Sequence, residues 1–214
     1  MIITLASFKG GVGKSTASVH LAAYFAAQAP TVLVDGDPNG SATRWAKPGH
    51  LPFPVVGKHQ GPVYARKYEH LIIDTQARPT PQDLKDLAEG CDLLIIPATP
   101  DTLSLDALML TIGELQNLDT NRYRVLLNIV PPDPIKEGRI AREALQDAGI
   151  PLFTHGIRRL MAFQRAAEMG LTVDKLRDER ATVGWRDYEI VAQEVERLTA
   201  QTSERLGAHK YARV

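Results

Sequence analysis

Lys9-Gly10-Gly11-Val12-Gly13-Lys14-Ser15-Thr16 stands between a short apolar run, Ile2 to Ala6, and an alanine-rich segment from Ser15 to Gln28. The run reads as a β-strand and the segment as a helix, so the glycines fall in a strand–loop–helix turn. Glycine lets a main chain turn tightly and offer consecutive N–H groups at close range. The same loop opens a helix, whose free amides and dipole attract anionic oxygens. Together these make a cradle for phosphate groups, in which Lys14 reaches the outer phosphates and the Ser15 hydroxyl can ligate Mg²⁺. The spacing departs from Gly-x4-Gly-Lys-[Ser/Thr] at one place: Phe8 stands where the first glycine would be, and Lys9 follows it.

Outward from this loop, apolar runs alternate with helix-length amphipathic segments. Thr31–Asp35, His70–Asp74, Asp92–Pro97 and Tyr123–Val130 read as strands, with a short edge strand near Val63 to Arg66 and a last one over Pro151–Thr154. Helices are expected over Pro81–Glu89, Ser104–Leu118, Lys136–Ala148, Leu160–Met169 and Trp185–Ala200, and the Pro/Gly-rich stretch 47–62 as mostly loop. Four of the strands are nearly all apolar, as strands covered on both faces are. The pattern predicts a doubly wound α/β fold: a mainly parallel sheet with helices on both faces. One domain over residues 1–206 is expected, with a frayed tail over 207–214.

The 214 residues carry 25 Lys+Arg against 25 Asp+Glu and are 44% hydrophobic, a balance that excludes disorder as a global description. Cys91 is the single cysteine, which excludes a disulfide scaffold and any site needing several in-chain thiolates. No basic region precedes the first apolar residues, and no apolar run approaches the roughly 18 residues of a membrane span. A soluble, cytoplasmic protein is expected. Zero net charge argues against a constitutive hold on nucleic acid.

In a parallel sheet the carboxyl ends of the strands share one edge, and ligands bind there. Asp35 and Asp37 follow the second strand and Asp74 ends the third apolar run, so all three converge on the glycine loop. Mg²⁺ keeps several waters and needs few protein ligands, so the Ser15 hydroxyl and the Asp74 carboxylate suffice for it. Aspartate next to Gly or Pro also initiates turns, which leaves a purely local role open for Asp35 and Asp37.

Lys9-Gly-Gly-Val-Gly-Lys14-Ser-Thr resembles the deviant Walker A box of the ParA/MinD superfamily of P-loop ATPases. The resemblance implies ATP and Mg²⁺ as cofactors and a homodimer closed around ATP, in which Lys9 reaches the partner's nucleotide as an arginine finger does in trans. It implies that Gly10, Gly11, Val12, Gly13, Lys14, Ser15 and Thr16 hold the phosphates. Asp74 takes the place of the Walker B carboxylate, with Ser15 and a supporting Asp35 at the metal. Asp35-Gly36-Asp37-Pro38 resembles the family's Asp-x-Asp-Pro segment, whose second aspartate positions the attacking water; Lys9, Lys14 and Asp37 are then the catalytic set. Asn128 falls where the family meets adenine. The likeness continues through Ile96–Asp101 and Gly156–Ala166 and covers roughly residues 1–200.

Two departures narrow the expectation. The small ParA type, without an operator-reading extension, is expected, and Cys91 alone cannot supply the cluster of the iron-protein branch. The last helix carries Glu189, Glu194, Glu196 and Glu204, a poor match to anionic lipid, so membrane binding is not expected. Residues 155–186 hold Arg158, Arg159, Arg165, Lys175, Arg177, Arg180 and Arg186 against four acidic side chains, a surplus of three that a dimer would double. Phosphate contacts alone support sequence-independent DNA binding, although helical i,i+4 pairing uses the same residue types. The expectation is an ATPase with a weak intrinsic rate, stimulated by a small adaptor protein, that positions a plasmid or a protein body such as a carboxysome on nucleoid DNA. A MinD-like membrane-cycling regulator and a metabolic ligase resembling dethiobiotin synthetase are the alternatives.

Overall fold

The apolar runs become strands because each residue they contain finds a covered face. In the computed structural model, which describes residues 1–118, 120 and 122–200, the chain runs β1 (Ile2–Ser7), α1 (Lys14–Ala26), β2 (Thr31–Gly36), α2 (Ser41–Ala46), β3 (Val55–Gly57), α3 (Gly61–Tyr64) and β4 (His70–Ala77). It continues through α4 (Pro81–Glu89), β5 (Leu93–Ala98), α5 (Thr102–Asn117), β6 (Tyr123–Leu127), α6 (Glu137–Asp147), α7 (Met161–Met169) and α8 (Glu179–Tyr211). The six strands form one sheet in the order β3-β2-β4-β1-β5-β6, and every pairing is parallel. The expected doubly wound α/β architecture is therefore present.

Alternate strand residues feed two large cores and a smaller cluster of Val32, Val34, Val56 and Leu71. Ile3, Leu5, Leu33, Ile72, Ile95 and Leu126 pack on one face against α1, α2, α7 and α8. Ala6, Leu94, Ile96, Ala98, Val125 and Leu127 pack on the other against α4, α5 and α6. Burying each such side chain contributes roughly 1.5–3 kcal/mol. A one-residue slip would exchange the two faces, so this double demand fixes register. The register places Asp35 of β2 directly opposite Asp74 of β4, and Leu5 of β1 opposite Asp74 on its other side.

Helix α1 is alanine-rich because it is enclosed: Ala17, Ser18, Val19, His20, Leu21, Ala22 and Ala23 are all buried. Helix α4 starts where Thr80 and Asp83 form a reciprocal capping box with Pro81 at the first turn. Helix α5 starts where Asp101 accepts from the Ser104 N–H.

Four local expectations are corrected. The edge strand forms at Val55–Gly57 instead of 63–66, and Pro62 opens the short helix α3 there instead. Residues 41–46, for which no element is expected, form α2. The segment 151–154 makes only a single bridge, Leu152 beside Val125. Helix α8 begins at Glu179, six residues ahead of Trp185. The expected frayed tail over 207–214 lies outside the described residues. Among the described residues, no helix is long and apolar enough to cross a membrane.

Candidate functional site

The carboxyl ends of β1, β2, β4 and β6 open onto a cavity of about 700 Å³ lined by Gly10, Gly11, Gly13, Lys14, Ser15 and Thr16, with Asp37 and Asn128 also on its wall. The glycines are demanded by backbone shape: Gly11 and Gly13 have φ of 79° and 82°, the left-handed region that side chains rarely adopt. The loop ends in α1, with Lys14 as its first residue.

Lys14 is buried, and desolvation lowers the pKa of its ammonium; the nearby carboxylates of Asp74 and Asp37 partly oppose that. Asp74 is fully buried, and neither of its carboxylate oxygens has a hydrogen-bond partner among the described residues. Desolvation pushes its pKa from 3.8 to about 6, even though the Ser15 hydroxyl and Lys14 act to lower it. A buried, unpartnered carboxylate costs stability unless a cation or donor completes it. A hydrated Mg²⁺ held by the Ser15 hydroxyl fits that gap, since its bound waters are donors. Lys14 and the glycine loop fit a triphosphate for the same reason: both offer donors and positive potential without internal partners.

Asp37 is half-exposed at the cavity wall, and its Oδ1 accepts from the backbone N–H and the side-chain amide of Asn39, each at 2.9 Å. Asp35 is more heavily engaged. Its Oδ2 accepts from the N–H and the hydroxyl of Thr43 at 2.8 and 2.6 Å, and its Oδ1 from the Asp37 N–H at 3.2 Å. The structure therefore puts Asp35 in the turn, where it fixes the first turn of α2 and the backbone of Asp37. Lys9 donates to Asp101 Oδ1 at 2.7 Å, and Asp101 also accepts from the Thr99 hydroxyl. Both members of that pair are substantially exposed, at 32% and 51%, so it contributes a few tenths of a kcal/mol.

Asn128 lies beneath the loop and is buried; its amide donates to the carbonyls of Val12 and Gly13 at 2.8 and 3.4 Å. His20, one turn into α1, accepts from the Val173 N–H through Nε2 at 3.0 Å and donates from Nδ1 to the Thr16 carbonyl at 2.7 Å. Those two bonds require the neutral ring, and burial holds its pKa near 4. It stacks on Tyr188 with ring centroids 4.8 Å apart, with Trp45 and Phe163 edge-on.

The seven late basic residues do not form one set. Arg158 is bound to Asp187 by its Nε, its Nη2 and its backbone N–H, and His155 bonds to the same carboxylate at 2.8 Å. Asp187 is completely buried, which raises its pKa, but the bonds from Arg158 and His155 outweigh that and hold it below the usual carboxylate value. Arg165 pairs with Asp178 at 2.5 Å and Lys175 with Asp174 at 2.8 Å. Arg159, Arg177, Arg180 and Arg186 are exposed and make no ion pair with a described residue. Asp187 sits one residue past the segment in which the basic surplus lies, and Asp101 stands in sequence only at the end of the family-like stretch Ile96–Asp101. Cys91 is buried in the second core, its thiol pKa pushed up to about 11 by burial, so it is packing.

Comparison with known proteins agrees with this geometry. The CbiA description, the CobQ/CobB/MinD/ParA nucleotide binding domain, matches residues 3–173. The "Maintenance of carboxysome distribution protein A" of Gloeobacter kilaueensis is 32% identical over 203 residues, covering 92% of this chain and 94% of that protein. The chromosome partitioning protein ParA of Myxococcus xanthus is 35% identical over 125 residues, 58% of this chain and 37% of its own. Among solved structures, a McdA variant of Cyanothece in complex with ATP superposes with a TM-score of 0.72 at 15% identity, covering 93% of this chain and 96% of that one. MinD of Pyrococcus horikoshii with Mg-ADP gives a TM-score of 0.67 at 18% identity, covering 94% and 98%. At those identities the two structures establish the fold alone. The chain belongs to the CobQ/CobB/MinD/ParA nucleotide-binding domain family.

Proposed function

We propose that this chain is an ATPase that positions or partitions intracellular cargo, switched between two states by ATP. The observation that carries the reading is the buried Asp74 carboxylate, unpartnered among the described residues and close to Lys14 and Ser15 of the glycine loop. Such a site is complete only with a cation and an anion together, which is what Mg-ATP supplies. Gly10 to Thr16 bind the phosphates, Lys14 neutralises charge at the outer ones, and Ser15 with Asp74 holds the metal and its waters. Asp37, held at the cavity wall by the Asp35–Thr43 turn, orients the water that cleaves the terminal phosphate. Lys9 leaves Asp101 and crosses to a second copy, so that ATP closes a homodimer; the exposed, weak pair with Asp101 makes that exchange inexpensive.

The similarity to carboxysome-distribution and chromosome-partitioning proteins supports cargo positioning, and a protein body such as a carboxysome is the cargo favoured by the relative that spans nearly the whole chain. DNA is the track: Arg159, Arg177, Arg180 and Arg186 supply exposed cations without an ion pair among the described residues, which pairing of two copies would double. An adaptor protein stimulates hydrolysis and releases the dimer. The test is binding to random-sequence duplex DNA with ATP, ADP and no nucleotide at fixed salt. Binding confined to the ATP state is expected; equal binding in all three sinks the switch.

A further inference from the structure

The bonds of Asn128 differ from those expected of a base contact. Its side chain is spent: Nδ2 donates to Val12 O at 2.8 Å and Gly13 O at 3.4 Å, and Oδ1 accepts from the Ile129 N–H at 2.9 Å. Its backbone N–H donates to Ala98 O at 2.8 Å, which ties it to β5, and the residue is 2% exposed. Both Nδ2 hydrogens are committed to the loop, and only the second lone pair of Oδ1 is left over.

The bonds it makes have a geometric effect on the loop. A peptide unit is planar and trans, so its C=O and N–H point in opposite directions. Holding the Val12 carbonyl toward β6 aims the Gly13 N–H the other way; the Gly13 carbonyl accepts from the Ala17 N–H at 2.9 Å, so helix α1 itself aims the Lys14 N–H. Contact is close enough that a methyl group on residue 13 would come within 2.5 Å of Asn128 Nδ2. The next residue bears the burden. Ile129 has φ of 54°, a left-handed conformation that β-branched residues avoid, and its N–H is the one Asn128 accepts. Strain of this kind persists where the surroundings over-determine it, and it gathers at functional sites.

We infer that Asn128 is a positioning residue: a strut from the end of β6 that presets the Gly13 amide of the phosphate loop for any triphosphate, whatever its base. The inference rests on the reading of the loop as a triphosphate site. It is tested by calorimetric titration of the full chain with Mg²⁺ and three ligands: ATP, GTP and inorganic tripolyphosphate. Asn128→Ala should weaken every ligand that the parent binds by a common factor of about tenfold, because the Val12 carbonyl loses its partner and lets the loop turn. The ratio of ATP to tripolyphosphate affinity should stay at its parental value. Asn128→Ser, which keeps a small polar group, serves if the alanine variant does not fold, and it should give the same ratio. A variant that loses ATP while keeping tripolyphosphate overturns the strut and makes Asn128 a base reader; unchanged affinities for all ligands overturn it as well. If the parent binds no triphosphate, the reading of the loop fails first, and visibly so.

Discussion

Two groups of buried charge, Asp74 with Lys14 and Asp187 with Arg158, sit on opposite sides of one question: what completes them. Asp187 is completed by its own chain, through a forked contact with Arg158 and a bond from His155. Asp74 is equally buried and, among the described residues, neither of its oxygens has a hydrogen-bond partner. Satisfied charge of this kind builds structure, whereas unsatisfied charge reserves a place. The sequence marks Asp74 by the apolar strand it ends, whereas Asp187, between Arg186 and Tyr188, carries no local sign of its partners.

The largest effect should come from the reserved place. Lys14→Ala removes the one buried cation of the loop, and Mg-ATP affinity should fall by about 100-fold or more, the usual result of truncating one side of a buried charge contact. Calorimetry checks it, and retained affinity would break the comparison at its root. Next, Asp187→Ala should lower stability by about 2 kcal/mol, less than a fully buried pair because Arg158 is half exposed, and the melting temperature by about 5 °C. Chemical and thermal denaturation read this directly, and an unchanged midpoint would remove the structural role of that pair.

Asp74→Asn should move stability in the opposite direction. In the unfolded chain the carboxyl titrates near 3.8 and in the fold near 6, so the folded protein holds an extra proton between those values. The contribution of this one carboxyl to stability is therefore greatest below pH 4 and is lost as pH rises through 6. Asparagine abolishes that decline. The ligand-free variant should melt above the parent at pH 7, by roughly 1–2 kcal/mol in stability, and the gap should close toward pH 4. A variant that is less stable than the parent at pH 7 would show that Asp74 already has a partner. Smallest of all, Asp101→Asn should change stability by about 0.5 kcal/mol or less, since its pair with Lys9 is exposed and its capping oxygen survives. A large loss on denaturation would mean that this contact belongs with Asp187.

The legible parts of the molecule are those in which local pattern and burial coincide. Leu71-Ile72-Ile73 and Leu93 to Ile96 have no polar alternation because both faces of the sheet are covered, and that alone announced the architecture. The glycine loop was equally plain, because its chemistry is carried by neighbours in sequence. Helix α2 was not: six residues hold only Ala42 and Trp45 as buried anchors, too few to set a period. Its start depends on Asp35, which reaches eight residues along to Thr43. The strand at Val55–Gly57 has three residues in a Pro/Gly-rich stretch and exists because β2 offers an open edge. The pairing of Arg158 with Asp187 spans 29 residues, so counting charges in a window credited Arg158 to a free surface it does not join. Asn128 could be placed at a strand end, but its bond to Val12 crosses 116 residues and leaves no local trace.

Helix α1 is enclosed through most of its length, with His20 tying its first turns to Val173. A rod so confined cannot tilt or slide without opening both the aromatic cluster and the sheet face beneath it. In amide hydrogen exchange it should behave as the slowest unit, with the bound and free states of the site differing little along it. Whatever motion a nucleotide provokes must then be taken up by the rim: the turn at Asp37, the six residues of α2, and Lys9 on its exposed tether. The centre of the site is a fixed bearing, and the switch turns around it.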